Sequence, residues 1–379
     1  MADRIRRTLA LSALGICALL SLSSALAGQK RNRSDDPLSK WRSGEYPGIR
    51  YVGSALCAEC HRSRAGTQSA TPMAHAIEFP EACRVFHAHE RLTFRNGPYS
   101  YLIVRDRNQW TYTVSEGAKS ISEAVLYCFG EGKVGQTYVF KHNGLFYESR
   151  VSYYEELQNL EITTGHPHEV PSSLEEALGR PMSQDEAKSC FACHAPSAVT
   201  AAGLQLDRLI PGVTCESCHG PGEKHVASVK AGLKAQIFNP GKLDANDLSQ
   251  EFCGSCHRSF DTVMLMPKQG GVNNVRFQPY RMFNSRGHNQ ADPRISCIAC
   301  HDPHERLERN AGFYDSKCLA CHLSTAKEAR TDTRHAPACP VETRQCVTCH
   351  MPKAEVPEMH FKFTDHWIRV AKPNDPVPR

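Results

Sequence analysis

The chain has 379 residues, 40% of them apolar, with a formal charge of +5, 18 cysteines and 19 histidines. Its Lys and Arg residues are scattered except for Lys30 to Arg33, so the charge gives no basic face for nucleic acid. The cysteines and histidines, by their number and spacing, carry the information.

Residues 1–27 read as a secretory signal peptide. Arg4, Arg6 and Arg7 precede an apolar run from Leu9 to Leu22, and Ala25-Leu26-Ala27 forms a cleavage site before Gly28. An uncleaved anchor competes with this reading, because Leu9 to Ala27 nearly spans a bilayer. The serines and the small-residue end favour cleavage, after which no membrane span is expected. Ile16, where a lipoprotein signal wants a small residue before Cys17, argues against lipidation. Residues 28–50, polar and carrying Pro37 and Pro47, form a linker. A first segment, 51–83, follows with the motif Cys57-Ala-Glu-Cys60-His61. Thr71-Pro72 then opens a brief predicted helix with Met73 and His75, since proline is tolerated in a first helical turn.

Residues 84–165 change character and read as a β-rich insertion. Tyr99, Tyr101 and Ile103 alternate onto one face, as do Trp110, Tyr112 and Val114 after a polar turn at Arg105 to Asn108. Further strands are predicted over 124–129 and 137–141. Asn143-Gly144 makes a hairpin turn into 145–154, since that pair accepts positive φ. The aromatics are read as the insertion's own core or a lid over a haem, rather than a binding cage.

Residues 166–370 form one further segment, expected from its six motifs to be a six-haem cytochrome c domain, and 371–379 a tail. His166 and His168 lie in a loop, and Ser172 or Ser173 caps a helix ending at Gly179. Six Cys-x-x-Cys-His motifs follow: Cys190/Cys193/His194, Cys215/Cys218/His219, Cys253/Cys256/His257, Cys297/Cys300/His301, Cys318/Cys321/His322 and Cys346/Cys349/His350. Between His219 and Cys253, Val226, Val229, Leu233 and Ile237 predict a helix over 223–236 with His225 on its first turn.

The motif is the attachment signal for haem c: two thiols form thioethers to the vinyl groups, and the adjacent histidine reaches the iron as proximal ligand. A zinc ribbon or a disulfide framework requires no histidine at that position. Chance placement of one after all seven pairs has odds of roughly one in a billion. Seven covalent haems c are therefore expected, with His61, His194, His219, His257, His301, His322 and His350 proximal. The last six motifs take about 27 residues each, too few for a protein core of their own. Their buried apolar mass should be porphyrin, and without haem this region should not fold. After loss of the leader, two propionates per haem bring the ferric protein to a charge of about −4 and the reduced one to about −11, so the basic sequence charge misleads.

Twelve histidines remain after the seven proximal ones, enough for a distal imidazole on every iron. His304 follows His301 so closely that it should serve a different haem, and the same holds for His225 after His219. His75 is read as a distal ligand against a surface histidine, and His166 or His168 could supply another. Met73, Met351 and Met359 are the competing ligands but each lies beside a histidine. Cys83, Cys128 and Cys339 belong to no motif. The first two are read as buried free thiols with a Cys83–Cys128 disulfide possible, and Cys339 could be a thiolate ligand.

Three stretches together resemble a family. Gly212-Val-Thr-Cys215-Glu-Ser-Cys218-His219-Gly-Pro-Gly222 is followed by His225. Cys297-Ile-Ala-Cys300-His301-Asp-Pro-His304 comes next. Cys346-Val-Thr-Cys349-His350-Met-Pro-Lys353 then precedes Phe363-Thr-Asp-His366. The chain is similar over roughly 51–370 to the bacterial multihaem cytochromes c, relatives of the tetrahaem electron acceptor of hydroxylamine oxidoreductase. The resemblance implies a mostly α and irregular fold of short helices and loops round stacked haems, here with the β-rich insertion. It also implies extracytoplasmic electron transfer, and distal roles for His75, His225, His288, His304, His335 and His366. Seven motifs exceed the tetrahaem pattern and the insertion is absent from the simplest members, so partner and potential do not carry over.

Three function classes follow. An electron carrier with every iron six-coordinate fits the histidine supply and would meet redox proteins, such as a quinol-linked membrane cytochrome or another cytochrome, in the periplasm or another extracytoplasmic place. A reductase or oxidase of a small nitrogen or sulfur compound would keep one haem open, although no lysine-ligated CxxCK motif is present. A haem-wired filament or scaffold is the third class.

Overall fold

The largest ordered element is an antiparallel sheet, which grows out of the alternating stretch. The computed structural model describes residues 50–200, 202–234, 237–266, 271–285, 287–288, 294–322, 338–372, 375 and 377–378. The leader and nearly all of the linker lie outside these residues, as does His335. The sheet contains β1 (Ile77–Glu78), β2 (Arg91–Asn96), β3 (Tyr99–Asp106), β4 (Gln109–Glu116), β5 (Lys119–Phe129), β6 (Gly135–His142), β7 (Leu145–Tyr154), β8 (Asn159–Ile162) and β9 (Gly179–Met182). Strands β2 to β8 pair in sequence order, while β1 pairs with β5 and β9 with β7.

The predicted alternation is seen directly. Tyr99, Tyr101, Ile103, Trp110, Tyr112 and Val114 are all buried, and Ile103 faces Tyr112 across the β3–β4 pair. Asn143 and Gly144 both have positive φ and join His142 to Leu145, as the hairpin requires. The β3–β4 turn is tighter than expected, because pairing continues to Asp106↔Gln109. Register shifts at Val125/Tyr127 and Thr137/Val139 add local twist. The sheet nearly closes on itself: the Thr93 N–H on β2 donates to the Asn159 side chain at the start of β8, 3.2 Å. Its enclosed face packs Phe86 on Trp110 and Tyr138, with Tyr112 against Phe140.

Two corrections concern extent. The sheet reaches past 84–165 at both ends, taking β1 from the first haem segment and β9 from beyond the loop, so sheet rather than short helix dominates the described core. The helix predicted over 223–236 covers only Glu223–Lys230, and Gly232 at φ 69° turns the chain. Val229, Leu233 and Ile237 stay exposed to solvent in protein alone. The brief helix at His75 is instead a run of turns, closed by hydrogen bonds from Ala74, His75 and Ala76 to residues three back.

The helix Gln184–His194 shows how a motif is fastened to the sheet. Ser183 caps it through a capping box with Glu186, and Asp185 and Glu186 complement the dipole of its first turn. Its buried Phe191 meets Tyr127 and Phe129 edge-on at 5.0 and 5.3 Å. The later motifs sit on helices of a turn or so, such as Cys215–His219, Cys297–Cys300 and Cys346–His350. In 297–322 only Asp315 is buried, while Ile298, Leu307 and Phe313 are exposed. A stretch so poor in protein core should depend on its prosthetic groups. In chain purified without haem, limited proteolysis should cut 215–370 at least tenfold faster than 91–182, read by mass spectrometry of the fragments.

Candidate haem-attachment and ligand site

Three imidazole pairs organise the site, each joining a motif histidine to one outside any motif. His61 faces His225 with ring centres 6.3 Å apart, His219 faces His304 at 6.0 Å, and His301 faces His366 at 6.2 Å. Two imidazoles bound through Nε2 to one metal at about 2 Å each would have their ring centres about 6.2 Å apart, given about 1.1 Å from nitrogen to centre. The gap in each pair therefore fits one iron. The three pairs span 164, 85 and 65 residues of sequence, read from the numbering of the partners.

Hydrogen bonds and burial prepare these rings as ligands. The Nδ1–H of His194 donates to the Ala76 carbonyl at 2.6 Å, that of His219 to Phe238 at 3.0 Å, that of His350 to Arg369 at 2.9 Å and that of His366 to Thr364 at 3.0 Å. Each bond selects the tautomer whose Nε2 lone pair is free for a metal. His304 turns its Nδ1 to Asp302 instead, 2.9 Å. Burial lowers the pKa of His194, His219 and His301 and pushes His366 down to about 4, so these imidazoles are neutral at pH 7.

The cysteines bring the motifs together. The thiols of Cys57 and Cys215 hydrogen-bond, as do those of Cys253 and Cys297 and those of Cys318 and Cys346. Cys193 lies 3.9 Å from the Ser255 carbonyl inside the fourth motif. Cys218 interacts electrostatically with Cys253, and Cys300 with Cys318. Cys190 and His194 line a cavity of about 180 Å³ whose other walls are Phe129, Thr137, Val139, Glu148 and Met182, so the sheet roofs the second motif. Cys60, Cys256, Cys321 and Cys349 complete the pairs, Cys60 and Cys349 exposed.

Other expected ligands are placed less directly. His75 has Nδ1 on Glu78 at 2.9 Å and Nε2 on the Ser69 carbonyl at 3.1 Å, so its ring is occupied within its own segment. His288 packs on Phe283 at 5.3 Å. His166 is buried with Nε2 on Glu148 at 3.1 Å, and it lines a different cavity, of about 420 Å³, with Arg150 and Arg180. His257 is near enough to both His194 and His366 to influence them electrostatically. Cys83 and Cys128 are free and buried, and Cys339 is a half-buried free thiol.

Three carboxylates that the sequence did not single out hold the ligand loops. Glu216, between the two cysteines of the third motif, is buried and accepts from the N–H groups of Val52 and Gly53 at 2.8 Å and Gly222 at 2.7 Å. It thereby fixes the approach to the first motif and the turn leading to His225. Asp315 accepts from the N–H groups of Gln345 at 2.7 Å and Cys346 at 2.8 Å, joining the sixth motif to the seventh. Those two bonds hold its carboxyl below the usual range. Asp365, next to His366, takes a two-pronged contact from buried Arg281 at 2.8 and 2.9 Å and a third from Arg369 at 2.7 Å. Burial opposes its charge, yet Arg281 and the Trp367 N–H keep its pKa low. Only the acidic residue inside Cys-x-x-Cys gave a sequence signal for any of these, and a weak one.

This donor set, seven pairs of thiols each with an adjacent histidine and three imidazole partners set one metal apart, is that of a multihaem c-type cytochrome. Residues 152–220, the segment that holds the second and third motifs, match the family described as cytochrome c554 and c-prime. The chain is 24% identical over 202 residues to the multiheme cytochrome MtrA of Shewanella baltica (strain OS185), covering 49% of this chain and 52% of that protein. It thus spans about half the length of that curated relative. A solved structure, the outer cell wall cytochrome OcwA, aligns at 21% identity and a TM-score of 0.34 over 55% of this chain and 37% of its own.

The Asp365 clamp yields a measurable expectation. Asp365→Ala leaves Arg281 as an unpaired buried cation and should cost about 3–5 kcal/mol. Denaturant unfolding of the haem-loaded protein, followed by tryptophan fluorescence and haem absorbance, checks the size.

Proposed function

We propose that the chain is an extracytoplasmic electron carrier that holds seven covalent haems c, most of them with two histidine ligands. The observation that carries this reading is the three imidazole pairs at 6.0–6.3 Å. Haem c, once bound, supplies reversible one-electron chemistry tuned by its axial ligands and burial. The protein's part is to hold neutral imidazoles at both faces, to exclude water and to keep neighbouring groups close. In this reading His225 serves the haem of His61, His304 that of His219 and His366 that of His301. His288 and His335 remain for the other four, together with His75 and His166 if their rings leave Ser69 and Glu148.

The contacts between motifs support an order in which the first is followed by the third, fourth, fifth, sixth and seventh, with the second joined at the fourth. Cys60 and Cys349 at the two ends of this order are exposed, as is Cys300 in the fifth motif, and these three motifs are the places for redox partner proteins, a quinol-linked membrane cytochrome or another cytochrome. Among the described residues no helix is long and apolar enough to cross a membrane.

A second reading, reduction or oxidation of a small nitrogen or sulfur compound, is favoured by the cavity beside His194. Its walls are mainly apolar, carry the carboxylate of Glu148 and include no second histidine. Spectroscopy separates the two. A carrier should show seven haems by intact mass and be wholly low-spin when ferric. Replacing His225, His304 or His366 by Ala should each turn one haem in seven high-spin. Unchanged low-spin spectra in all three variants would remove the pairing. A high-spin signal lost on adding nitrite or hydroxylamine, with turnover above about 1 s⁻¹, would replace the carrier by the enzyme.

A further inference from the structure

Cys83 and Cys128 stand apart from the haem motifs and from each other in sequence, yet their side chains meet. Both are completely buried in the sheet's apolar core, in the cluster that contains Phe86 and Tyr138. The two thiols hydrogen-bond to one another. Cys83 also donates to the Gln136 side chain at 3.0 Å, and Gln136 in turn donates to the Gly130 carbonyl at 2.8 Å. The backbones around them are already paired, with Glu78 opposite Cys128 across β1 and β5. Cys83 precedes the helix Arg84–Ala88, whose Phe86 is fixed between Trp110 and Tyr138. Two neighbouring sulfurs in one buried cluster are the arrangement a disulfide of S–S length about 2.05 Å starts from. The loss is one weak S–H···O bond to Gln136.

We propose that Cys83 and Cys128 form a disulfide in the mature protein. The inference rests on the extracytoplasmic reading, because disulfides persist in oxidising compartments. The S–S bond forms by exchange with a disulfide of a thiol-oxidising protein. Two S–H bonds on this chain are lost, and the oxidant's S–S bond breaks to leave two thiols that carry away the protons and the electron pair. Complete burial of both sulfurs requires that this happen before the sheet closes, and it then shields the bond from reductants.

The bond would tie the first haem segment to the sheet where the two jointly seat the second motif. Between Cys83 and the first motif lies Ala76, whose carbonyl accepts both the Gly130 N–H at 2.8 Å and the ring of His194 at 2.6 Å. The disulfide thus anchors the strand that orients a proximal histidine, in a part of the chain that carries protein core rather than porphyrin.

The test uses the full, haem-loaded protein. It is denatured in acid without reductant, alkylated and digested, and peptides are mapped before and after reduction. The expected result is a Cys83–Cys128 linked peptide, two hydrogens lighter than its reduced halves, with Cys339 alkylated as an internal control. Quantitative alkylation of both Cys83 and Cys128 in the unreduced sample overturns the proposal, as does a link from either one to Cys339. In the Cys128→Ser variant Cys83 should become fully alkylatable. Absence of covalent haem from the same preparation would instead indict the cytochrome reading, so the two failures are distinguishable.

Discussion

One constraint governs the haem-bearing half of this chain: each imidazole that faces a motif histidine comes from a segment far away in sequence, and an iron fits the gap between them. His61 with His225 and His219 with His304 draw 50–61 and 215–225 into one body with the loop at 304. A region of one-turn helices, with exposed Ile298, Leu307 and Phe313, cannot hold such an arrangement by hydrophobic burial. Coordination and thioether bonds have to do what a core does elsewhere.

Carboxylates then set the precision. Glu216, Asp315 and Asp365 each accept several donors, and each joins two segments that carry ligands or attachment cysteines. Their partners are main-chain N–H groups or buried arginine, so the contacts fix backbone position rather than merely balancing charge. The same motive explains the Nδ1–H bonds of His194, His219, His350 and His366 to carbonyls. A ring so held presents Nε2 in one direction only.

The sheet is a different kind of body. Its tyrosines, Trp110 and Phe140 give it a protein core, and it meets the haem-bearing part through Phe191 and the cavity at His194. The sheet thus holds the larger apolar core, while the haem-bearing half has a small one of Val263, Phe277 and Tyr280 and few buried side chains in 297–322. The second motif, on the capped helix Gln184–His194, lies where they join.

The sequence by itself determined the motifs, the residues able to bind through them and the alternating strands. In each case the signal is local: thioether chemistry needs two cysteines and a histidine within five residues, and a pleated strand repeats every second residue. His225 and His304 were legible as candidate ligands of other haems for a local reason too, since each stands too few residues from a motif histidine to reach the opposite face of the same haem. Tertiary structure alone decided that their partners are His61 and His219, that the short strands at 77–78 and 179–182 join the sheet, and that His75 turns to Glu78 and the Ser69 carbonyl. It also decided that Glu216 reaches Val52 and Asp365 reaches Arg281, contacts between groups 164 and 84 residues apart. Such pairings depend on how distant segments approach in space, and a hydrogen bond or an iron-wide gap between them leaves no periodicity in the chain to read.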